Sequence, residues 1–284
     1  FVKMLANFGK LEDFMAQHSD AAQNILLGEF VEKINGPNAL QQAVDVAGAL
    51  ASMENNAFLT VIEYNLKDYF QKALSESDKE REVLYGILCN LFKEKAIFYK
   101  PFFDSIAPLY PTPPIKALPN AMLRDVSNRN IQVHYFYDDD DGIASFNTFL
   151  ATFNKPGWRK IDRNTFVEIQ SNTGEVYILA NKWNHEEDGH ADMEAYLLKK
   201  GWEPNVVVHR GHSYYANLTI DKIPASASLV VIGSCGGYHN LTDVLERSPS
   251  AQIISSKQIG TLKINNPLTF RLAENIRKGN DIQW

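Results

Sequence analysis

A thiol and an imidazole brought to one sheet edge can carry out acyl transfer, and residues 206–237 hold both groups. The segment reads VVVHRGHSYYANLTIDKIPASASLVVIGSCGG. Its β-branched runs at 206–208 and 229–232 are too short for helices and pass straight into glycine and polar residues, which predicts two buried strands. The first leads into His209-Arg210-Gly211-His212-Ser213 and the second into Gly233-Ser234-Cys235-Gly236-Gly237. In an open parallel sheet the carboxyl ends of the strands share one edge, so neighbouring strands would bring these loops together. Cysteine reacts as the thiolate, and an adjacent imidazole can take its proton. Glycines at 233, 236 and 237 allow a sharp turn that presents backbone N–H groups to a developing oxyanion.

A strand followed by Gly-His, then a strand ending in a small residue and Cys, is similar to the caspase-like clan of cysteine peptidases. That clan includes gingipains, clostripain, legumain, separase and CHAT domains. Gly211-His212-Ser213 and the IGSCGG at 232–237 resemble the gingipain type most. The resemblance covers roughly the second half of the chain and implies a His212/Cys235 dyad, with the backbone amides of Ser213 and Cys235 as the oxyanion hole. It also implies a mostly parallel caspase-like sheet sandwiched by helices, a peptide or protein substrate, and no cofactor or metal. Serine stands at 213 where the clan normally has glycine. The residues by themselves also admit a plainer account. A cysteine at a strand end is often a packed small hydrophobe, and His209, directly after the apolar run, rivals His212 as a half-buried last strand residue bonded to backbone.

Other polar clusters fall where the same edge is expected. Asp138, Asp139, Asp140 and Asp141 follow the apolar run 131–137. Four adjacent carboxylates suit a solvated turn; by the resemblance they would be substrate-binding groups that select Arg or Lys on the amino side of the scissile bond. Asp139-Asp140-Asp141-Gly142 also resembles the nucleophile loop of haloacid-dehalogenase-type phosphatases, an alternative that would need a metal. Lys257, Thr261 and Asn266, in the stretch 255–267 after the last strand, are further candidates for substrate contact. His185, Glu186, Glu187, Asp188 and His190 hold zinc-type donors, but their spacing is not His-Glu-x-x-His, and Asp188 reads as a helix N-cap.

Elements must position these groups, and the chain has the means. Its 284 residues are 45% hydrophobic and 11% aromatic, ample for one large or two ordinary packed domains. The formal charge of −6 disfavours nucleic acid as the main partner, since phosphate binding wants a basic face. Cys89 and Cys235 are the two cysteines, and Cys89 sits in a helical apolar pattern, so no disulfide framework is expected. No apolar run is long enough to span a bilayer. The chain begins at Phe1, so removal of a leader, and with it a secreted or periplasmic location, stays open.

Apolar spacing predicts an all-helical N-terminal domain over 1–112, with helices near 1–17, 20–34, 37–53, 56–76, 78–95 and 97–109. That domain would bind a protein partner or the α/β part, and its aromatic cluster of Phe92, Phe98, Tyr99, Phe102 and Phe103 suits a core. Breaks are expected at Ser19, at Asn35-Gly36-Pro37 and at residues 75–77. The prolines at 111, 113, 114 and 119 mark a connector. From 120 to 284 strands alternate with helices, which predicts an α/β domain with a mostly parallel sheet. Strands are expected at 131–137, 166–170, 176–180, 206–208, 229–232 and 252–255; helices at 142–153, 191–200, 241–247 and 268–278. The reading is a cysteine endopeptidase; the alternatives are a non-catalytic binding protein of the same fold and the metal-dependent phosphatase.

Overall fold

The computed structural model describes residues 2–7, 10–34, 39–51, 53–112, 116–257 and 259–284. The breaks expected at Asn35-Gly36-Pro37 and at Pro113 and Pro114 lie outside these. The chain divides into two compact units, Phe1–Pro114 and Ile115–Trp284.

The first unit is helical among its described residues: α1 (Val2–Asn7), α2 (Leu11–Met15), α3 (Asp20–Glu32), α4 (Ala39–Ala51), α5 (Asn56–Ser75), α6 (Lys79–Phe92) and α7 (Lys100–Ile106). Where one helix was expected over 1–17 there are two. Side-chain caps fix several starts, as orphan amides at a helix N-terminus require: Ser19 accepts from the Ala22 amide, Asn55 from Ala57 and Asp78 from Arg81. Leu27, Ile62, Leu66, Phe70, Cys89 and Phe103 fill the core. Phe92 and Phe103 are buried there, whereas Phe98 is exposed. Glu63 is wholly buried, its carboxylate accepting the amides of Ile97, Phe98 and Tyr99 at the approach to α7.

The second unit is α/β. Its elements are β1 (Ala117–Leu118), β2 (Asn130–Phe136), α8 (Asp140–Thr152), β3 (Trp158–Asp162), β4 (Phe166–Ser171), β5 (Val176–Asn181), α9 (Glu186–Lys200), β6 (Val206–Arg210), α10 (Ala216–Ile220), β7 (Leu229–Ile232), α11 (Leu241–Arg247), β8 (Gln252–Ser255), α12 (Leu262–Arg277) and β9 (Ile282–Gln283). Seven strands form one sheet in the order β3-β4-β5-β2-β6-β7-β8. β5, β2, β6, β7 and β8 are mutually parallel, while β4 pairs antiparallel with β3 and, through the hairpin expected at Asn172-Thr173-Gly174, with β5. β1 and β9 form a separate two-stranded antiparallel pair that ties the start of the unit to its end.

Both sheet faces are covered, so the central strands are apolar on both sides. Phe136, Val206, Val208, Leu229 and Val231 pack with Phe146 and Phe149 of α8 and Leu272 and Ala273 of α12. Ile131, Val133, Val207, Val230 and Ile232 pack on the other face with Met193 of α9, Ile220 of α10 and Val244 of α11. Several elements depart from expectation: β1, α10 and β9 answer to no element expected from the sequence, and three more differ in detail. β3, with Arg159 and Lys160 exposed at the sheet margin, lacks an apolar signature. α9 has His185 at its N-cap position, without a side-chain cap hydrogen bond, and Asp188 lies within its acidic first turn rather than at the cap. α12 starts at Leu262 and accommodates Pro267, so half of the presumed loop is helix.

Three histidines of this unit, His134, His190 and His209, are buried, and burial pulls their pKa values down to about 3, 4 and 4. Each stays neutral in the folded chain while taking a proton below about pH 6.5 once unfolded. The unfolded state therefore binds more protons in that interval, and stability falls as pH falls, by up to about 1.4 kcal/mol per pH unit for each histidine. Urea midpoints measured at pH 7, 6 and 5 are expected to decline steadily.

Candidate active site

The strand order reverses at β2, whose neighbours are β5 and β6. Crevices outside the carboxyl ends at such a switch point are where open α/β sheets bind ligands. Three loops meet there, after β2, β6 and β7. His209 is level with Ile232 across the β6–β7 pair, so Arg210 is level with Gly233.

Strand alternation sends the last two residues of β6 to opposite faces. His209 joins Val207 on the side of α10. It is fully buried: the Tyr137 hydroxyl lies 2.7 Å from Thr219 Oγ1, which lies 2.8 Å from His209 Nδ1, and His209 Nε2 is 3.3 Å from the His212 carbonyl oxygen. A neutral imidazole completes this chain by donating from Nε2 to that carbonyl and accepting from Thr219 at Nδ1. His209 thus holds the loop that carries His212.

That loop passes close to the one after β2. A side chain on Gly211 would come within 3.0 Å of the Tyr137 ring and 3.3 Å of Asp139 Oδ2, so glycine permits the approach. Asp139 braces the two loops: Oδ1 accepts the Gly142 amide as the N-cap of α8, and Oδ2 accepts the His212 amide at 3.2 Å. The half-exposed His212 ring sets Nδ1 3.6 Å from Asp141 Oδ2 and stacks on Tyr214 at 5.2 Å between centroids.

Cys235 follows β7 in a tight turn with Gly236 at φ +62°, and its side chain is half-buried. The loop after β8 closes over this turn. Ser256 Oγ donates to the Ser234 carbonyl, the Tyr238 amide donates to the Ser256 carbonyl, and a Cβ on Gly260 would come within 2.6 Å of the Gly233 carbonyl oxygen. Asn265 of α12 donates to the same Gly233 carbonyl at 2.7 Å. Among the described residues, neither the Cys235 nor the Ser213 amide donates to a protein acceptor, and no hydrogen bond joins the Cys235 thiol to His212.

A cavity of about 390 Å³ opens between these loops, walled by Asp141, Ser145, Gly233, Cys235, Thr261 and Asn265, with Arg210 beside Ser145 and Gly233. Arg210 shares the face of Val206 and Val208. It is 3% exposed; Nη2 donates to Ser145 Oγ at 2.9 Å, and Nε and Nη1 have no protein partner among the described residues. Burial pulls the guanidinium down to about 10, with Asp141 acting in the opposite sense.

Comparison with protein-family models, curated proteins and solved structures gives no match for this chain. The site therefore stands on its geometry. Cys235, Asp141 and Thr261 line the cavity, and His212 reaches it through Asp141. Asn266, expected in a loop, is instead buried in α12, donating to the Ser145 carbonyl at 3.3 Å. Lys257 is exposed and lies over the Tyr238 ring. Of the acidic run, Asp139 is spent on backbone amides and Asp138 and Asp140 are exposed, which leaves Asp141 alone at the cavity. Among the described residues no group of three or more His, Cys, Asp or Glu side chains is arranged to hold a metal ion. His190 packs edge-on against Tyr135 at 4.8 Å between centroids. Sequence reading passed over Arg210 and Ser145. The signal for Arg210 was a charge at the position of a strand where alternation demands a buried side chain.

Thr219 links the Tyr137 hydroxyl to His209. Thr219→Val keeps the shape but leaves both groups unpartnered in the core, and an unmet buried polar group costs about 1–3 kcal/mol. A loss of that size is expected from urea unfolding at pH 7.

Proposed function

We propose that the α/β unit is a caspase-like cysteine hydrolase that cleaves peptide bonds with Cys235 and His212. The observation that carries this reading is the cysteine's position: a half-buried thiol in the wall of a cavity at the carboxyl edge of a parallel sheet, with a histidine loop on the adjacent strand. A cysteine serving only as a small hydrophobe would be sealed in the core, as Cys89 is, where burial pushes the thiol up to about 12.

In the proposed reaction Cys235 Sγ attacks the scissile carbonyl carbon as its proton passes to His212. The amides of Cys235 and Ser213, free of protein acceptors, receive the oxyanion. The C–N bond then breaks, His212 protonates the leaving amine, and water attacks the thioester to release the acid and restore the thiol. With Nδ1 turned towards Asp141, Nε2 is the nitrogen left to exchange protons. The backbone amide that serves the oxyanion is present in serine as in glycine, so Ser213 fills this role without its side chain. A second reading, a peptide-binding module on the same fold, draws on one observation: His212 stacks on Tyr214 and makes no hydrogen bond to Cys235.

Two measurements separate these readings. Cleavage of a mixed peptide library, read by mass spectrometry, is expected for the wild type, lost in Cys235→Ala, and reduced about 10²–10⁴-fold in His212→Ala. Iodoacetamide at pH 7 is expected to label Cys235 well before Cys89, and more slowly in His212→Ala. Absence of cleavage together with equal labelling in wild type and His212→Ala would leave the binding module.

A further inference from the structure

His212 is anchored twice, and both anchors lead back to Tyr137. One runs through polar groups: the Tyr137 hydroxyl meets Thr219 Oγ1 at 2.7 Å, Thr219 meets His209 Nδ1 at 2.8 Å, and His209 Nε2 lies 3.3 Å from the His212 carbonyl oxygen. The other runs through rings. Tyr137, wholly buried, stacks on Tyr215 with centroids 4.7 Å apart and planes 8° from parallel; Tyr215 packs on Tyr214 at 4.5 Å; Tyr214 stacks on the His212 ring at 5.2 Å and 18°. An aromatic column thus rises from the core to the imidazole. Its last member, Tyr214, is 68% exposed, so its ring serves the imidazole more than the core.

We propose that Tyr214 is a positioning residue for His212, fixing the plane of the imidazole and favouring its protonated form, so that Cys235 is held more readily as thiolate. The face of an aromatic ring attracts a cation within about 6 Å of its centroid, and a neutral imidazole gains less from the same contact. Asp141, with Oδ2 3.6 Å from Nδ1, acts in the same sense from the edge of the ring. The proton that leaves Cys235 Sγ for Nε2 is then kept on the imidazole by a carboxylate on one side and a π face on another. Asp139 meets the backbone amide of His212 rather than its ring. Partial desolvation, then Asp139, Asp141 and Asp140, hold the Tyr214 phenol above its ordinary value, so this ring stays neutral. The contact uses the ring face and not the hydroxyl, so phenylalanine would serve as well. The inference rests on the Cys235/His212 pairing of the proposed hydrolase, but it is read on the thiol without turnover.

Iodoacetamide labelling of Cys235 is followed from pH 5 to pH 10 on the full chain. Wild type is compared with Tyr214→Leu, Tyr214→Phe, His212→Ala and the double variant Tyr214→Leu/His212→Ala. Tyr214→Leu is expected to label about two- to fivefold more slowly at pH 6–7, the range that an exposed cation–π contact supplies. At pH 10, where the thiolate forms unaided, it should match wild type. Tyr214→Phe should follow wild type throughout. In the His212→Ala background Tyr214→Leu should change nothing, because the tyrosine acts through the imidazole. Tyr214→Gln supplies the same comparison should the leucine variant fail to fold. Equal rates for wild type and Tyr214→Leu at every pH overturn the proposal, as does an equal effect at pH 7 and pH 10, an effect that persists without His212, or a slow Tyr214→Phe. Faster labelling in Tyr214→Leu overturns it in favour of a stack that parks the imidazole away from the thiol. Wild-type labelling indifferent to His212→Ala overturns it together with the dyad. The expected labelling pattern without any peptide cleavage keeps the role of Tyr214 and sinks the hydrolase. Cleavage that needs Cys235, with Tyr214→Leu labelling as wild type does, leaves the hydrolase standing and removes the role of Tyr214.

Discussion

The pleat of β6 governs the site. Consecutive residues of a strand point to opposite faces, so one polar pair at the end of a single strand serves two layers. His209 goes under the loop that follows and holds its carbonyl, while Arg210 goes under the cavity. A shift of register by one residue would exchange them. The imidazole would then lie beside Ser145 and the guanidinium among Tyr137 and Thr219. The flanking Val206, Val207 and Val208 resist such a shift, because each is buried against the helices of its own side.

The acidic loop after β2 works mainly as a fastener. Asp139 accepts one amide from its own helix and one from the neighbouring loop, so the start of α8 and the position of His212 are fixed together. Negative charge at the beginning of α8 also suits the helix dipole. Asp141 in the first turn of that helix then faces the imidazole without having been selected for distance by the loop itself. A run of four carboxylates has the look of a specificity pocket in one dimension; in three, local backbone demands consume part of it before any ligand arrives.

What the sequence disclosed follows from the range of the forces involved. The two strands of the site were legible because buried parallel strands carry apolar runs, Leu229–Ile232 without any competing signal and β6 over its first three residues, Val206, Val207 and Val208. The hairpin was legible because Asn-Thr-Gly has local turn chemistry, realised with Gly174 at φ +72°. β3 was not, since an edge strand with exposed Arg159 and Lys160 obtains its order from pairing with β4 rather than from its own composition. The start of α12 was hidden by Pro267, which sits within the helix although proline removes an internal hydrogen bond. Asn266 consequently moved from the solvent side of a loop to the core beside Ser145. Arg210 was readable only by counting alternate positions across a strand end that propensity leaves undefined.

Two cations and one carboxylate at the cavity set its electrostatic character. Lys263 and Asp141 stand exposed in its walls, where water weakens their fields, while the Arg210 guanidinium lies in the low-dielectric interior. Equal charges do not count equally under those conditions. At about 4 Å an interaction worth about 1 kcal/mol in bulk water rises to about 4 kcal/mol at the effective dielectric of about 20 that suits buried sites. The buried arginine therefore dominates what the cavity prefers, and the exposed aspartate is better suited to orienting the imidazole at its rim than to opposing Arg210. The Cys235 side chain lies in the same wall, so whatever enters the cavity meets the sulfur and the field of Arg210 together.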